Sequence, residues 1–226
     1  MENVSGLVKR HRHVFNKVKC IMSSLGYEVH ARLINTENHG IPHRRVRLYV
    51  VALLRKPGTG RKFMWPTPVP ARKCRRTLAP VGPFDKPGRL PPRDLRKGVP
   101  RSLVKRAYRE CIAQRVDPRT RDVFVDIGCT AKFYHKRLDI LPTLSACRGQ
   151  TGGFWISSRG RMTTLNELFH FQGLSEKACP WQTVISPRQM GKMLGNTMSL
   201  NVCERVLGRL LLAAGLVQRL PHDRWA

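Results

Sequence analysis

The stretch YEVHARLINTENHGIPHRRVRLYVVALL, residues 27–54, decides the fold. Tyr27, Val29, Ala31 and Leu33 alternate with Glu28, His30 and Arg32, the period-two pattern of a half-buried strand. The polar stretch Asn35 to Gly40 turns the chain. RLYVVALL, residues 47–54, is nearly all apolar after its first residue, as expected of a strand covered on both faces. Upstream, Val14, Val18, Ile21 and Leu25 fall at helical spacing, as do Phe15, Val18 and Met22, and Gly26 is placed to stop that helix. A helix and two strands in this order read as α/β.

Composition changes at Arg55. From there to Pro100 the chain holds 10 Pro and 13 Lys or Arg, against only Asp85 and Asp94 as acids. No hydrophobic period survives, so this is expected to be a basic, Pro-rich loop region, extended in part. Gly58-x-Gly60 opens no helix and is not read as a phosphate loop. A short helix is predicted over 102–115 and a short strand over 122–127. Farther on, 163–171 reads as helix, and Ser186-Pro187 starts another. After the break at Gly195-Asn196 a last helix carries Val202, Val206, Leu210 and Ala213 on one face.

The 226 residues carry 42 Lys or Arg against 14 Asp or Glu, a net charge of +28. Arg55 to Asp122 alone has 20 basic and 5 acidic residues and so contributes +15. Such self-repulsion favours a polyanionic partner. The 41% apolar content is enough for a core, while the longest apolar runs, 48–54 and 210–217, fall far short of a membrane span. No leader is expected at Met1-Glu2. Seven scattered Cys with no CxxC pair argue against a zinc finger or a disulfide framework and for reduced thiols. His11-x-His13 and the other His lack metal-ligand company, so no metal site is expected.

Several short segments follow one another in a fixed order. Glu2-Asn3-Val4 opens the chain, and Gly40-Ile41-Pro42-His43-Arg44-Arg45-Val46-Arg47 precedes the apolar strand. Arg161-Met162-Thr163-Thr164-Leu165-Asn166-Glu167 leads to Phe171-Gln172-Gly173, and Gly195-Asn196-Thr197-Met198 comes last. This order resembles the C-terminal half of a cytosine-5 DNA methyltransferase, everywhere but in the 55–121 insertion, where that family is itself variable. The resemblance implies the distal part of a class I S-adenosylmethionine-dependent methyltransferase sheet with a small irregular target-recognition domain. It implies a catalytic part over 1–54, a basic recognition region over 55–150, and a return to the catalytic domain with C-terminal helices over 151–226.

It also implies roles. Glu2 matches the glutamate that contacts the N3 and amino edge of a flipped cytosine, where a protonated carboxyl can neutralise charge loaded onto the ring. Arg45 and Arg47 match an Arg-x-Arg pair; on a strand, residues i and i+2 share a face, so both can reach one site at the base O2 and a phosphate. His43 stands where the family has glutamine. Gly195 and Asn196 match a loop bordering S-adenosylmethionine, although Gly-Asn also simply ends helices. Arg161 and Glu167 are expected to be structural, and Arg148 and Arg159 are candidates for reaching DNA.

The family carries two further motifs, a Gly-rich turn for S-adenosylmethionine and a Pro-Cys nucleophile. The residues before the seven Cys are Lys19, Lys73, Glu110, Gly128, Ala146, Ala178 and Val202, so the sequence contains no Pro-Cys pair. The expectation is therefore a portion of a longer enzyme or one half of a split one, inactive alone and partnered by double-stranded DNA and a complementing N-terminal chain. The alternative is a non-catalytic, basic nucleic-acid-binding protein derived from such an enzyme. The location expected is nuclear in a eukaryote and cytoplasmic otherwise.

Overall fold

The computed structural model describes residues 1–54, 61–93, 95 and 99–226, so Gly58-x-Gly60 lies outside the described residues. Along the chain run β1 (Glu2–Val4), α1 (Gly6–Lys9), α2 (Arg12–Ser24), β2 (Tyr27–Asn35), β3 (Val46–Leu54), α3 (Val99–Ala113), β4 (Val123–Val125) and β5 (Lys136–Leu138). After these come α4 (Ala146–Gln150), β6 (Trp155–Ile156), β7 (Arg161–Met162), α5 (Leu165–Phe171), α6 (Pro187–Asn196) and α7 (Leu200–Ala213). Two compact units result: residues 1–40, 45–71 and 198–226, and residues 41–44 and 72–197.

In the first unit an antiparallel sheet has the order β1-β3-β2. The apolar run 47–54 takes the central place, with β1 and β2 paired to its two edges. Tyr49, Val51 and Leu53 of β3 bury with Ile34 of β2 against Val202, Val206 and Ala213 of α7. This differs from the expected alternation in β2. The buried residue is Ile34, on the α7 side, whereas Leu33 on the opposite face is 38% exposed. Gly26 ends α2 at φ +86°, a conformation that glycine adopts without steric cost. The α2 stripe is present at its expected spacing, yet α2 buries no residue.

Phe63 and Trp65 join the same core, edge to face at 5.0 Å. Basic, Pro-rich composition hid them, because isolated aromatics show no period. The expected boundaries at 54/55 and 150/151 thus differ from the observed division. The first unit extends to Ala71, and the chain returns to it at Met198.

In the second unit the sheet order is β5-β4-β6-β7, all pairs antiparallel. β4 is fully buried. Leu103, Val104, Ala107 and Cys111 of α3 pack on Val123 and Val125 with Trp155. Each Leu or Val among them taken out of water stabilises by roughly 1.5–3 kcal/mol before entropy is counted. Thr164 and Glu167 form the capping box that starts α5, and Ser186 with Gln189 does the same for α6, with Pro187 in its first turn. Among the described residues no helix is long and apolar enough to cross a membrane.

Candidate active site

β1 pairs antiparallel with β3 so that Glu2 lies opposite Tyr49 and Val4 opposite Arg47. Met1 fixes this register: its amino group donates to the Val50 carbonyl at 2.9 Å, and Val50 N–H donates back to Met1 at 2.9 Å. On one face of such a pair the diagonal neighbour two residues along is within reach of a long side chain. Arg47 therefore meets Glu2, with Nε 3.3 Å from Oε1, and Arg45, two residues before it, brings Nη2 to 3.7 Å from the same oxygen. The structure thus brings together the three residues that the sequence singled out.

The cluster sits low in dielectric. Arg45 is only 2% exposed, and the Glu2 and Arg47 side chains are largely buried. Burial first, and then repulsion from Arg47, push the Arg45 guanidinium down to about 10, while Glu2 works the other way. Burial also pushes the Tyr49 phenol and the Cys203 thiol upward, with the Glu2 charge adding to both. Oε1 of Glu2 is buried without a hydrogen bond among the described residues, although both guanidinium groups are within ion-pair range. A buried acceptor left so is costly and suits a site that awaits a donor.

The backbone carrying Arg45 is tied down by residues that sequence reasoning missed. Arg45 N–H donates to Oδ1 of Asn35 at 3.1 Å, and Thr36 N–H donates to the Arg45 carbonyl at 3.0 Å. The Thr36 hydroxyl donates to Ser199 at 2.9 Å, and the Asn201 amide donates to the His39 carbonyl at 2.6 Å. The start of α7 thereby clamps the turn before β3. The only trace in the sequence is a Ser and an Asn beside the apolar stripe of that helix. His39, Arg205 and Asp223 continue the clamp: Arg205 donates to Nδ1 of His39 at 2.5 Å and pairs with Asp223 at 2.8 Å. Burial and the Arg205 charge push His39 down to about 4.

In the second unit His43 is fully buried. Its Nε2 accepts from Leu144 N–H at 3.2 Å and Nδ1 lies 3.1 Å from the Phe171 carbonyl, which together fix Nδ1 as the protonated nitrogen. His43 therefore ties segments of its own unit. Gly195 and Asn196 end α6. A Cβ on Gly195 would meet the Ser145 carbonyl at 2.3 Å, so close packing alone accounts for that glycine. Asn196 is exposed. By themselves these two residues make no cradle for S-adenosylmethionine.

Arg161 grips Glu167 through two 3.0 Å bonds and also reaches Asp85 at 2.7 Å, a structural network as expected. Arg148 and Arg159, the candidates for reaching DNA, are instead turned inward. Arg148 pairs with Asp126 at 2.6 Å, and buried Arg159 donates to the Ala79 carbonyl at 3.1 Å. Among the described residues no group of His, Cys, Asp or Glu could hold a metal ion.

Comparison with known proteins bears on this site directly. Residues 1–81, which contain Glu2, Arg45 and Arg47, match the family model of the C-5 cytosine-specific DNA methylases. The type II methyltransferase M.HhaI of Haemophilus parahaemolyticus is 24% identical over 211 residues, 91% of this chain and 60% of that protein. M.AplI of Arthrospira platensis is 41% identical over 51 residues, 23% of this chain and 15% of its own length. Among solved structures, the Entamoeba histolytica methyltransferase EhMeth superposes with a TM-score of 0.59 at 16% identity, covering 93% of this chain and 61% of that one. The S. pombe Dnmt2 methyltransferase gives 0.55 at 14% identity, covering 93% and 66%. These two show a shared fold, and the chain spans less than two thirds of each of the four proteins. The Glu2–Arg47 region thus lies in the part of the chain that is similar to the C-5 cytosine-specific DNA methylases.

Proposed function

We propose that this chain is the base-holding portion of a DNA (cytosine-5-)-methyltransferase, with Glu2, Arg45 and Arg47 around a cytosine flipped out of the duplex. The observation that carries the reading is the convergence of two guanidinium groups on one buried carboxylate. When a nucleophile adds at C6, electron density builds on the ring at N3 and O2. A proton held between the Glu2 carboxyl and N3 neutralises it, and a guanidinium donating to O2 stabilises it further, most strongly where water is excluded. S-adenosylmethionine, when bound, supplies the methyl group for C5. The attacking cysteine and the Gly-rich turn lie outside these 226 residues, and the proposal assigns them to a complementing N-terminal chain. The basic 55–121 region then serves the phosphates and base edges.

The test is methyl transfer from labelled S-adenosylmethionine to a cytosine-containing duplex. This chain, an N-terminal half bearing the Pro-Cys and Gly-rich motifs, and the two mixed are compared. Transfer that appears only in the mixture, and falls with Glu2→Gln, supports the reading. No transfer above the N-terminal half alone, with both chains folded and associated, overturns it. The net charge of +28 favours a second reading, a non-catalytic nucleic-acid binder. That reading requires affinity with a steep salt dependence and indifference to both S-adenosylmethionine and Glu2→Gln.

A further inference from the structure

In the second unit, Leu103, Val104, Ala107 and Cys111 turn one side of α3 to the core, while Ile112 on the same helix stands 65% exposed. Two adjoining hollows of about 460 and 580 Å³ lie beside it, both lined by Gly88, Tyr108 and Ile112. The Tyr108 hydroxyl donates to the Arg89 carbonyl at 3.1 Å and accepts from Trp155 Nε1 at 3.4 Å, so the ring is left as apolar wall. The lining also holds Lys105, Arg109, Arg115 and Arg119, and none of these four side chains has a carboxylate partner among the described residues. Asp117, the one acid in the lining, accepts from the Arg119 backbone N–H at 2.8 Å and serves its own turn. Two backbone features keep cations here. Arg115 N–H donates to the Ile112 carbonyl and Val116 N–H to the Cys111 carbonyl, both at 2.9 Å, the Schellman pattern that ends α3. Arg115 takes the left-handed place in it at φ +58°, where glycine is the unstrained choice. An arginine held in that conformation points to a use for its charge. Gly88 does the converse: it sits at φ +77°, and a Cβ on it would come within 3.0 Å of Arg119 Cγ, so its bare backbone makes room for the arginine stem.

We propose that this groove along α3 binds an acidic amphipathic helix of a protein partner, seated by large apolar side chains in the two hollows. Such a helix offers apolar residues at i, i+3, i+4 and i+7, the spacing at which helices anchor in apolar grooves. Its flanking carboxylates meet guanidinium groups in paired hydrogen bonds. Lys105, Arg109 and Ile112 follow one another along α3 at steps of four and three, so a helix laid beside α3 matches it turn for turn. Phosphates call for cations alone, so the apolar hollows favour a polypeptide over nucleic acid on this face. Two chains of +28 repel one another, which disfavours a second copy as the occupant. The inference stands apart from the proposed function, since its residues lie outside the Glu2–Arg45–Arg47 cluster and binding is read without DNA or S-adenosylmethionine.

The experiment titrates a fluorescein-labelled peptide, Ser-Pro-Glu-Glu-Leu-Asp-Glu-Phe-Leu-Glu-Glu-Leu-Glu-Glu, with the full chain and follows anisotropy. The expected result is saturable binding, weakened about tenfold by Ile112→Asp and about fivefold each by Arg115→Gly and Lys105→Glu. Arg115→Gly removes a cation and the left-handed strain together, so its thermal midpoint is expected to be no lower than the parent's while its affinity falls. A merely structural role for Arg115 would not separate those two readouts. A peptide with its Leu and Phe replaced by Ala, at unchanged charge, is expected not to bind. Equal binding of that peptide, or of one with Lys in place of its acids, overturns the proposal, as does absence of saturable binding. A random-sequence DNA duplex whose affinity falls with Ile112→Asp and Arg115→Gly as far as the peptide's overturns it in favour of nucleic acid. A dimer in sedimentation that Ile112→Asp dissolves overturns it in favour of a second copy.

Discussion

Oε1 of Glu2 lies 3.3 Å from Nε of Arg47, on neighbouring antiparallel strands and on the same face of the sheet. Arg45 approaches the same oxygen from within the protein, so Glu2 counters two positive charges that burial has stripped of water. Removing the carboxylate leaves them facing each other. Glu2→Gln is expected to lower stability by about 2 kcal/mol, short of the full cost of a broken buried pair because Arg47 keeps some access to water. Arg45→Met in the same background is expected to recover part of that loss by removing the stranded charge. Urea denaturation of the single and double variants checks the sign of the coupling.

The strands and helices that build this site were legible in the sequence because each carries its own period. The apolar run 47–54 became the central strand, and Val202, Val206 and Ala213 became the face of α7 that covers it. The Glu2–Arg45–Arg47 cluster was legible through strand geometry and family resemblance together. What stayed hidden has no period. Phe63 and Trp65 are single aromatics in a Pro-rich segment, and the Thr36–Ser199 and Asn201–His39 bonds join residues more than 160 positions apart. Nothing in the sequence ranked Arg148 and Arg159 against the other arginines, because it does not say which guanidinium meets an internal carboxylate.

Their inward pairing has a measurable consequence. Arg148→Ala leaves the largely buried Asp126 carboxylate without its 2.6 Å partner. The substitution is expected to cost about 2 kcal/mol of stability. The slope of DNA affinity against salt is expected to stay unchanged, since a lost phosphate contact would reduce it by about one. A reduced slope with unaltered stability would show that Arg148 reaches the phosphates after all.

Gly149 and Gly191 bring the backbones of α4 and α6 into direct contact. A Cβ on Gly191 would lie 2.1 Å from the Gly149 carbonyl oxygen, where only main chain could move to make room. Alanine gains about 1 kcal/mol in helix propensity over glycine, which is too little to offset a backbone displacement. Gly191→Ala is expected to lower stability by about 2 kcal/mol net, visible as a drop in the thermal midpoint.

Arg161→Lys separates charge from shape. The guanidinium spans both oxygens of the fully buried Glu167 and reaches Asp85, a fork that an ammonium cannot reproduce. Charge is kept and geometry lost, so the expected cost is about 1–3 kcal/mol, against near neutrality if only net charge mattered. A shift of the urea midpoint at unchanged slope is the readout.

His39 gives the fold a dependence on acid. Its Nδ1 accepts from Arg205, with Arg32 near and only Asp223 opposing, and the ring is buried, so the folded state holds it neutral down to about pH 4. An unfolded chain protonates the same imidazole near its ordinary value of 6.5. Between those values the unfolded state binds more protons, so stability falls as pH falls, by up to about 1.4 kcal/mol per pH unit. Above pH 6.5 the contribution is complete, and below 4 the dependence from this group ends. His39→Asn keeps an acceptor for Arg205 and does not titrate. Its stability relative to the parent chain is expected to be lowest above pH 7 and to rise steadily as the solution is taken from pH 6.5 to 4. A difference that stays flat over that window would mean that burial and Arg205 together do not hold the imidazole neutral.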